Sequence, residues 1–313
     1  MLNTLRIGVS FLILYAASLR GEPERGAGCD LQTAPEKQRM NYKALAVDLD
    51  GTLLHSDEQV TPRSIEVLKA AKAAGLRIIV ATARWYQMAE RVARQIESAE
   101  PIIACAGAQV RRPSDSHDLL DLRVPEEFAN RLYPILDSRR CIAVVAMDDS
   151  VLIKMDAGAD TSKLPAELAF VPRLAGAVNS LPRIFLIQGT EATGHIVEHL
   201  GEQWKERVRF VESFSSRRKS NLTITAAGAD KGAALSVACA DMGISTTEVV
   251  AFGDAEADME MFRVAGASVA MGQASPHLKS IATAVTLSND EDGVAVAVEK
   301  LLETGMVVGA SPQ

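Results

Sequence analysis

The run Asp48-Leu49-Asp50-Gly51-Thr52-Leu53-Leu54 carries the densest chemical information in this chain. Two carboxylates spaced by one residue leave a strand pointing the same way, and a glycine behind them lets the chain turn sharply. A lone pair of this kind does no more than solvate a strand end, but three other segments share its setting. Thr82 closes the apolar run 77–82, Lys231 stands at the start of a helix, and Asp254 and Asp258 follow the apolar run 249–252. Each lies where a strand or loop meets a helix. A hydroxyl, an ammonium and several carboxylates beside helix N-termini suit a phosphate bound with a divalent cation. The donors hold phosphate and the acids hold a hard metal.

Such residues can meet only if the elements behind them converge. From residue 43 onward, apolar runs alternate with amphipathic stretches, as expected of strands joined by helices. Residues 43–49 read as the first strand. Thr61 and Pro62 offer an N-cap and a first-turn proline for a helix reaching Ala74, with Gly75 placed to end it. Residues 77–82 follow as a strand, 85–96 as a helix and 102–105 as a third strand, a βαβαβ order that implies a parallel sheet covered by helices. Open parallel sheets bind ligands beyond the carboxyl ends of their strands, which would bring the four segments to one crevice.

Between residues 124 and 222 the texture changes. Runs 141–147 and 151–155 flank Asp148, Asp149 and Ser150 as in a hairpin, and strand candidates 183–187 and 208–211 flank a helix over 193–204. This segment reads as a separate α+β module. After Asp230 the first texture returns, with strand candidates at 249–252, 268–271 and 284–287 between helices. The expected architecture is thus an α/β, Rossmann-like core, 40–123 and 223–313, interrupted by an inserted α+β cap, 124–222.

The chain has 313 residues, 48% of them apolar, enough for sizeable cores. Thirty-three basic against 40 acidic residues give a net charge of -7, which lacks the basic excess of a nucleic-acid binder. Cys29, Cys105, Cys141 and Cys239 are scattered and form no CxxC pair, so neither a disulfide framework nor a zinc site is signalled. Residues 8–19 form an apolar stretch behind Arg6, similar to a signal-peptide core but short for a membrane span. Residues 1–39 are read as an over-extended start before Met40, with a genuine export signal as the alternative. The expected location is the cytoplasm, without a stable membrane partner.

The order of motifs over about residues 42–304 resembles the haloacid dehalogenase superfamily, particularly its Cof-type phosphatases of subfamily IIB with a C2-type cap. The resemblance rests on the DLDGTLL run from Asp48, the ATAR run ending at Arg84, the DKG run around Lys231, and Gly253-Asp254-Ala255-Glu256-Ala257-Asp258. Val269-Ala270-Met271-Gly272 and Glu291-Asp292-Gly293-Val294-Ala295 also look like the family's pattern. It implies hydrolysis of a small phosphorylated metabolite, such as a sugar phosphate, through an aspartyl-phosphate. Asp48 would be the nucleophile, and Asp50 would protonate the leaving oxygen and then activate water. Mg2+ would be held by Asp48, Asp254 and the backbone carbonyl of Asp50, with Asp258 as a supporting acid. Thr82 and Lys231 would hold the phosphoryl oxygens. Alternatives are a phosphomutase-type phosphotransferase and a catalytically weakened protein that binds a phosphorylated ligand.

Three positions depart from the family's pattern. Ala83 replaces a frequent Gly, Ala106 the Asn of an NGA run, and Ala257 the Asn of a GDxxND run. An amide beside the metal helps order water or phosphate, and alanine offers no polar replacement, so reduced activity or an unusual substrate is the expectation. His195-Ile196-Val197-Glu198-His199 matches HxxEH, a zinc pattern when on a helix, but five residues without a third ligand are better explained as helix-surface histidines. Arg217, Arg218 and Lys219 read as a solvated loop, and His55 as a single histidine near the mouth without a visible partner.

Overall fold

Strand β1, Ala44–Val47, consists of four apolar residues that are all fully buried, as a strand covered on both faces requires. It belongs to a computed structural model that describes residues 41–148, 150–156, 158–162, 164–214 and 220–309, which all fall in one compact unit, Lys37–Gln313. The reading of residues 1–39 and of Arg217, Arg218 and Lys219 lies outside the described residues.

Helix α1, Pro62–Ala73, begins as its sequence predicts: the Thr61 hydroxyl accepts the Ser64 N–H and Pro62 fills the first turn. Gly75, at φ +94°, ends it in a conformation that favours glycine. Strand β2, Arg77–Val80, helix α2, Tyr86–Gln95, and strand β3, Ile102–Ala104, follow. The third strand departs from expectation. Instead of extending the parallel sheet, β3 pairs antiparallel with β4, Gln109–Arg112, which pairs with β5, His117–Asp121. Only the bridge Ala81↔Ile103 continues it from β2. The turn responsible runs through three successive residues with positive φ, Cys105, Ala106 and Gly107, which reverse the chain within one short turn.

The next part contains α3, Glu126–Ser138, β6, Ile142–Ala146, β7, Val151–Lys154, β8, Leu168–Phe170, and β9, Ile184–Gln188. Helix α4, Thr190–Ile196, runs through a π turn, Val197–Gly201, into α5, Glu202–Trp204, and the hairpin of β10, Val208–Phe214, and β11, Ser220–Ala226, closes the part. These strands form one six-stranded sheet in the order β10-β11-β9-β6-β7-β8, antiparallel except for the β7–β8 pair. The expected β6–β7 hairpin is present, whereas β8 and β11 are additional. Alternation decides which side each residue takes. Leu222 and Ile224 pack with Phe128, Leu132 and Trp204 against the helices. Their neighbours Thr223 and Thr225, opposite Val211 and Arg209, lie on the other face.

The chain then returns through α6, Lys231–Met242, β12, Val249–Gly253, α7, Met259–Val264, β13, Ala267–Ala270, α8, Pro276–Ile281, β14, Ala284–Val285, and α9, Gly293–Thr304. The first sheet is parallel throughout, in the order β14-β13-β12-β1-β2. Chain direction on either side of β1 therefore leads to β12 one way and β2 the other, the switch point at which such sheets open a crevice. The two parts are tied by ion pairs around buried Arg183, which donates to Asp121 at 2.7 Å and to Asp118 at 3.3 Å, both from β5. Among the described residues no helix is long and apolar enough to cross a membrane.

Candidate active site

The parallel register levels Val47 with Phe252 and with Val80, so the residues that follow all three strands emerge side by side. Asp48 leaves β1, Thr82 lies just beyond β2, and Asp254 follows β12. Lys231 is the first residue of α6, whose start is fixed by the Asp230 carboxylate accepting the Ala233 N–H at 2.7 Å.

Asp48, Lys231 and Asp258 are buried together. The Lys231 ammonium donates to Asp48 Oδ1 at 2.6 Å and to Asp258 Oδ1 at 2.7 Å. The second oxygen of Asp258 accepts the backbone N–H groups of Asp254 and Ala255, both at 3.1 Å, so Asp258 anchors the loop that presents Asp254. One carboxylate oxygen from each of Asp48, Asp254 and Asp258 lies within 4.8 Å of the others. Burial raises the Asp48 pKa well above its ordinary value; Lys231 opposes the shift, and the Asp258 and Asp254 charges add to it. The Asp254 carboxyl is pushed up to about 6, again chiefly by burial and then by the charge of Asp258. Burial works against the Lys231 charge, yet its two carboxylate partners hold its pKa above the usual lysine value.

This donor set fits a hard divalent cation. Three carboxylates gather beside one ammonium that bonds two of them, Asp48 and Asp258, which leaves two negative charges concentrated in a largely buried site. The raised carboxyl pKa values have the same origin, and oxygen donors alone suit Mg2+. Close packing keeps the acids near: a Cβ on Gly51, at φ +76°, would fall 2.3 Å from Asp254 Oδ2. Gln273, after β13, donates to the Gly51 carbonyl and reaches Asp254 Oδ2 at 3.5 Å, linking the first acidic loop to the third.

Asp50 takes a different position from the one a continuous strand predicts. β1 ends at Val47, so Asp48 and Asp50 part at the turn: Asp48 is buried, whereas the Asp50 side chain is 54% exposed. Both Asp50 oxygens accept hydrogen bonds from the Arg84 guanidinium, the Nε bond at 2.8 Å. The Arg84 backbone N–H in turn donates to Thr82 Oγ1 at 3.1 Å, so Thr82, Arg84 and Asp50 form a second chain of contacts beside the acidic cluster. Arg84 and Gln273 had no assigned role from sequence. Arg84 was visible as the end of the ATAR run, but nothing local joins it to Asp50, 34 residues earlier; Gln273 is a single polar residue after Gly272 and carries no spacing signal.

The remaining candidates separate clearly. His55 Nε2 lies 3.1 Å from Asp292 Oδ1, and that oxygen also accepts from Thr61, so His55 belongs to a junction between the first loop and α9. His195 and His199 stack at 3.9 Å between ring centroids, and neither joins a group of three metal-ligating side chains among the described residues. The described cysteines, Cys105, Cys141 and Cys239, are free and buried. Ala83, Ala106 and Ala257 are half-buried and line one cleft at the crevice mouth.

Comparison with known proteins identifies the family. The family model described as haloacid dehalogenase-like hydrolase matches residues 45–298. Phosphatase YwpJ of Bacillus subtilis is 28% identical over 286 residues, with 83% of this chain and 100% of that protein covered. The 5-amino-6-(5-phospho-D-ribitylamino)uracil phosphatase YwtE of the same organism is 27% identical over 291 residues, covering 83% and 98%. Among solved structures, a haloacid dehalogenase-like hydrolase from B. subtilis is similar with a TM-score of 0.70 at 25% identity, covering 83% of this chain and 99% of that one.

Proposed function

We propose, since this chain belongs to the haloacid dehalogenase-like hydrolases, that it hydrolyses a small phosphomonoester through an aspartyl-phosphate on Asp48 with Mg2+ bound. The observation that carries this reading is the ammonium of Lys231 held between two buried carboxylates, with a third acid beside them. The relatives named as phosphatases support the same reaction class. The proposed division of labour keeps residues 40–123 and 223–313 as the catalytic core and 124–222 as the cap. The pairing of β11 with β10 carries the cap's sheet on to Ala226.

In this reading Asp48 Oδ1 rests on Lys231 and Oδ2 carries no hydrogen bond among the described residues, which leaves Oδ2 to attack phosphorus. As the new O–P bond forms, the bond to the leaving oxygen breaks, and Asp50 supplies the proton that oxygen needs. Asp50 then takes a proton from the water that cleaves the acyl phosphate and restores Asp48. Arg84 aims Asp50, and one of its two hydrogen bonds must open when Asp50 turns to the leaving oxygen. Lys231 and the Thr82 hydroxyl stabilise charge on the phosphoryl oxygens. The side chains of Asp48 and Asp254 and the Asp50 carbonyl would hold Mg2+, supported by Asp258. When bound, the ion offsets the repulsion between an anionic nucleophile and an anionic phosphate.

The test is phosphate release from a panel of phosphorylated metabolites and p-nitrophenyl phosphate, with Mg2+ or EDTA, for the intact protein and Asp48→Asn. Metal-dependent turnover lost in Asp48→Asn, with a phosphorylated Asp48 peptide recovered after acid quench, is the expected result. Turnover that survives Asp48→Asn would remove Asp48 as nucleophile. A folded protein that releases no phosphate from any compound would replace hydrolysis with ligand binding.

A further inference from the structure

The cleft that holds the three alanines has a second wall. Opposite Ala83, Ala106 and Ala257, the open face of β10 and β11 presents Arg209, Thr223 and Thr225. The register explains why: Arg209 pairs with Thr225 and Val211 with Thr223, so these side chains share the face turned away from the cap's own helices. The core side is therefore methyl groups with Asp230 at one end, whereas the cap side carries a guanidinium and two hydroxyls beside Val211.

None of those three polar groups has a partner among the described residues. Arg209 makes no ion pair or hydrogen bond, and neither threonine hydroxyl is hydrogen-bonded, although Thr225 is only 2% exposed. The neighbouring acids are engaged elsewhere. Asp230, at the edge of the cleft, holds the Ala233 N–H, and Glu260, which shares an outer groove with Arg209, is bonded to Arg263. A guanidinium beside an apolar wall has lost part of its hydration without gaining a counter-charge, a cost that an anionic ligand removes.

We propose that this cleft receives the leaving group of the phosphomonoester and that Arg209 binds a second anionic group on it, a carboxylate or another phosphate. The Thr223 and Thr225 hydroxyls donate to the same group or to hydroxyls next to it. The alanines give the carbon skeleton a floor that offers it no hydrogen bonds; the cleft measures about 30 Å³ as it stands, so its β10–β11 wall has to move outward to admit the leaving group. The substrate class is a short phosphorylated acid or a bisphosphate, in preference to a phosphomonoester whose leaving group is neutral. This assignment rests on the phosphatase reading of the acidic cluster, and Arg209 is a specificity residue within it.

The experiment compares kcat/KM for phosphoglycerate and fructose bisphosphate with that for glycerol phosphate, in the full chain and in Arg209→Gln and Arg209→Lys. Loss of a charged hydrogen bond predicts that Arg209→Gln falls at least about tenfold further on the two probes with a second anionic group than on glycerol phosphate. Arg209→Lys should recover part of that difference. An equal fall on all three probes, or none, overturns the proposal while leaving the phosphatase reading standing. The two probes separate a carboxylate from a phosphate as the second group. Calorimetric binding of the same probes to Asp48→Asn, with and without Arg209→Gln, gives a readout that needs no turnover. Affinity for both probes with a second anionic group that is indifferent to Arg209 overturns the proposal there too.

Discussion

The acidic floor and the cap wall of the cleft are assembled on opposite terms. In the floor, Lys231, Asp48 and Asp258 are buried and bonded to one another before any ligand arrives. In the wall, Arg209, Thr223 and Thr225 are held by a sheet but bonded to nothing among the described residues. Preorganised charges stabilise a developing transition state without reorganisation, which suits the part that performs a fixed reaction. Groups left open to a ligand suit the part that discriminates, because a compound that fails to satisfy them bears the cost. Under the proposed function, the difference gives chemistry to the core and choice of substrate to the cap.

The largest expected effect comes from breaking the floor. Lys231→Met leaves the Asp48 and Asp258 carboxylates buried without their cation, and removing one partner of a buried ion network costs about 3–5 kcal/mol. Urea unfolding in EDTA should show that loss, and turnover should fall by about a thousandfold. A variant as stable as the parent would mean that the ammonium does not compensate the acids.

A middle-sized effect should follow pH. Asp254 is raised from 3.8 to about 6, so between those values the folded, metal-free protein binds a proton that the unfolded chain has released. The stability this group contributes is complete below its unfolded pKa and is lost as pH rises through about 6. A divalent cation that takes the ionised carboxylate works in the other direction. The rise in Tm on adding Mg2+ should therefore be larger at about pH 7.5 than at about pH 5. An increment that is equal at both, or larger at the acid end, would detach Asp254 from the cation site.

The smallest effect would sharpen the description of the apolar wall. Ala106 sits at φ 55° and ψ 31°, a left-handed conformation that asparagine tolerates better than alanine. Ala106→Asn should raise stability by about 0.5 kcal/mol, and its amide would narrow the cleft. Thermal unfolding reads the first, and KM for fructose bisphosphate the second. A lower Tm would show that the surrounding hydrogen bonds already accommodate the alanine.

Much of this arrangement was legible in the residues. Thr61, Pro62 and Gly75 mark the ends of α1 because capping chemistry is local. The four apolar residues of β1 announce a buried strand for the same reason. The antiparallel turn from β3 into β4 escaped, because its signal is a reversal at Cys105, Ala106 and Gly107, where two of the three residues are not those that favour positive φ. The partition of Asp48 from Asp50 escaped as well. Their spacing describes a strand, but the strand ends one residue before the first of them.

Residue type and order by themselves determined the alternation of strands and helices, the interruption by a module of different texture, and which acids, hydroxyl and lysine stand at element ends. The fold alone decided which of them touch. Lys231 reaches Asp48 across 183 residues, Arg84 takes Asp50, and three alanines from separate loops come to face one strand hairpin. Periodicity and capping are properties of neighbours in the chain, whereas these contacts arise from parallel pairing, which sets distant strand ends side by side, and from packing of the cap's open face over them.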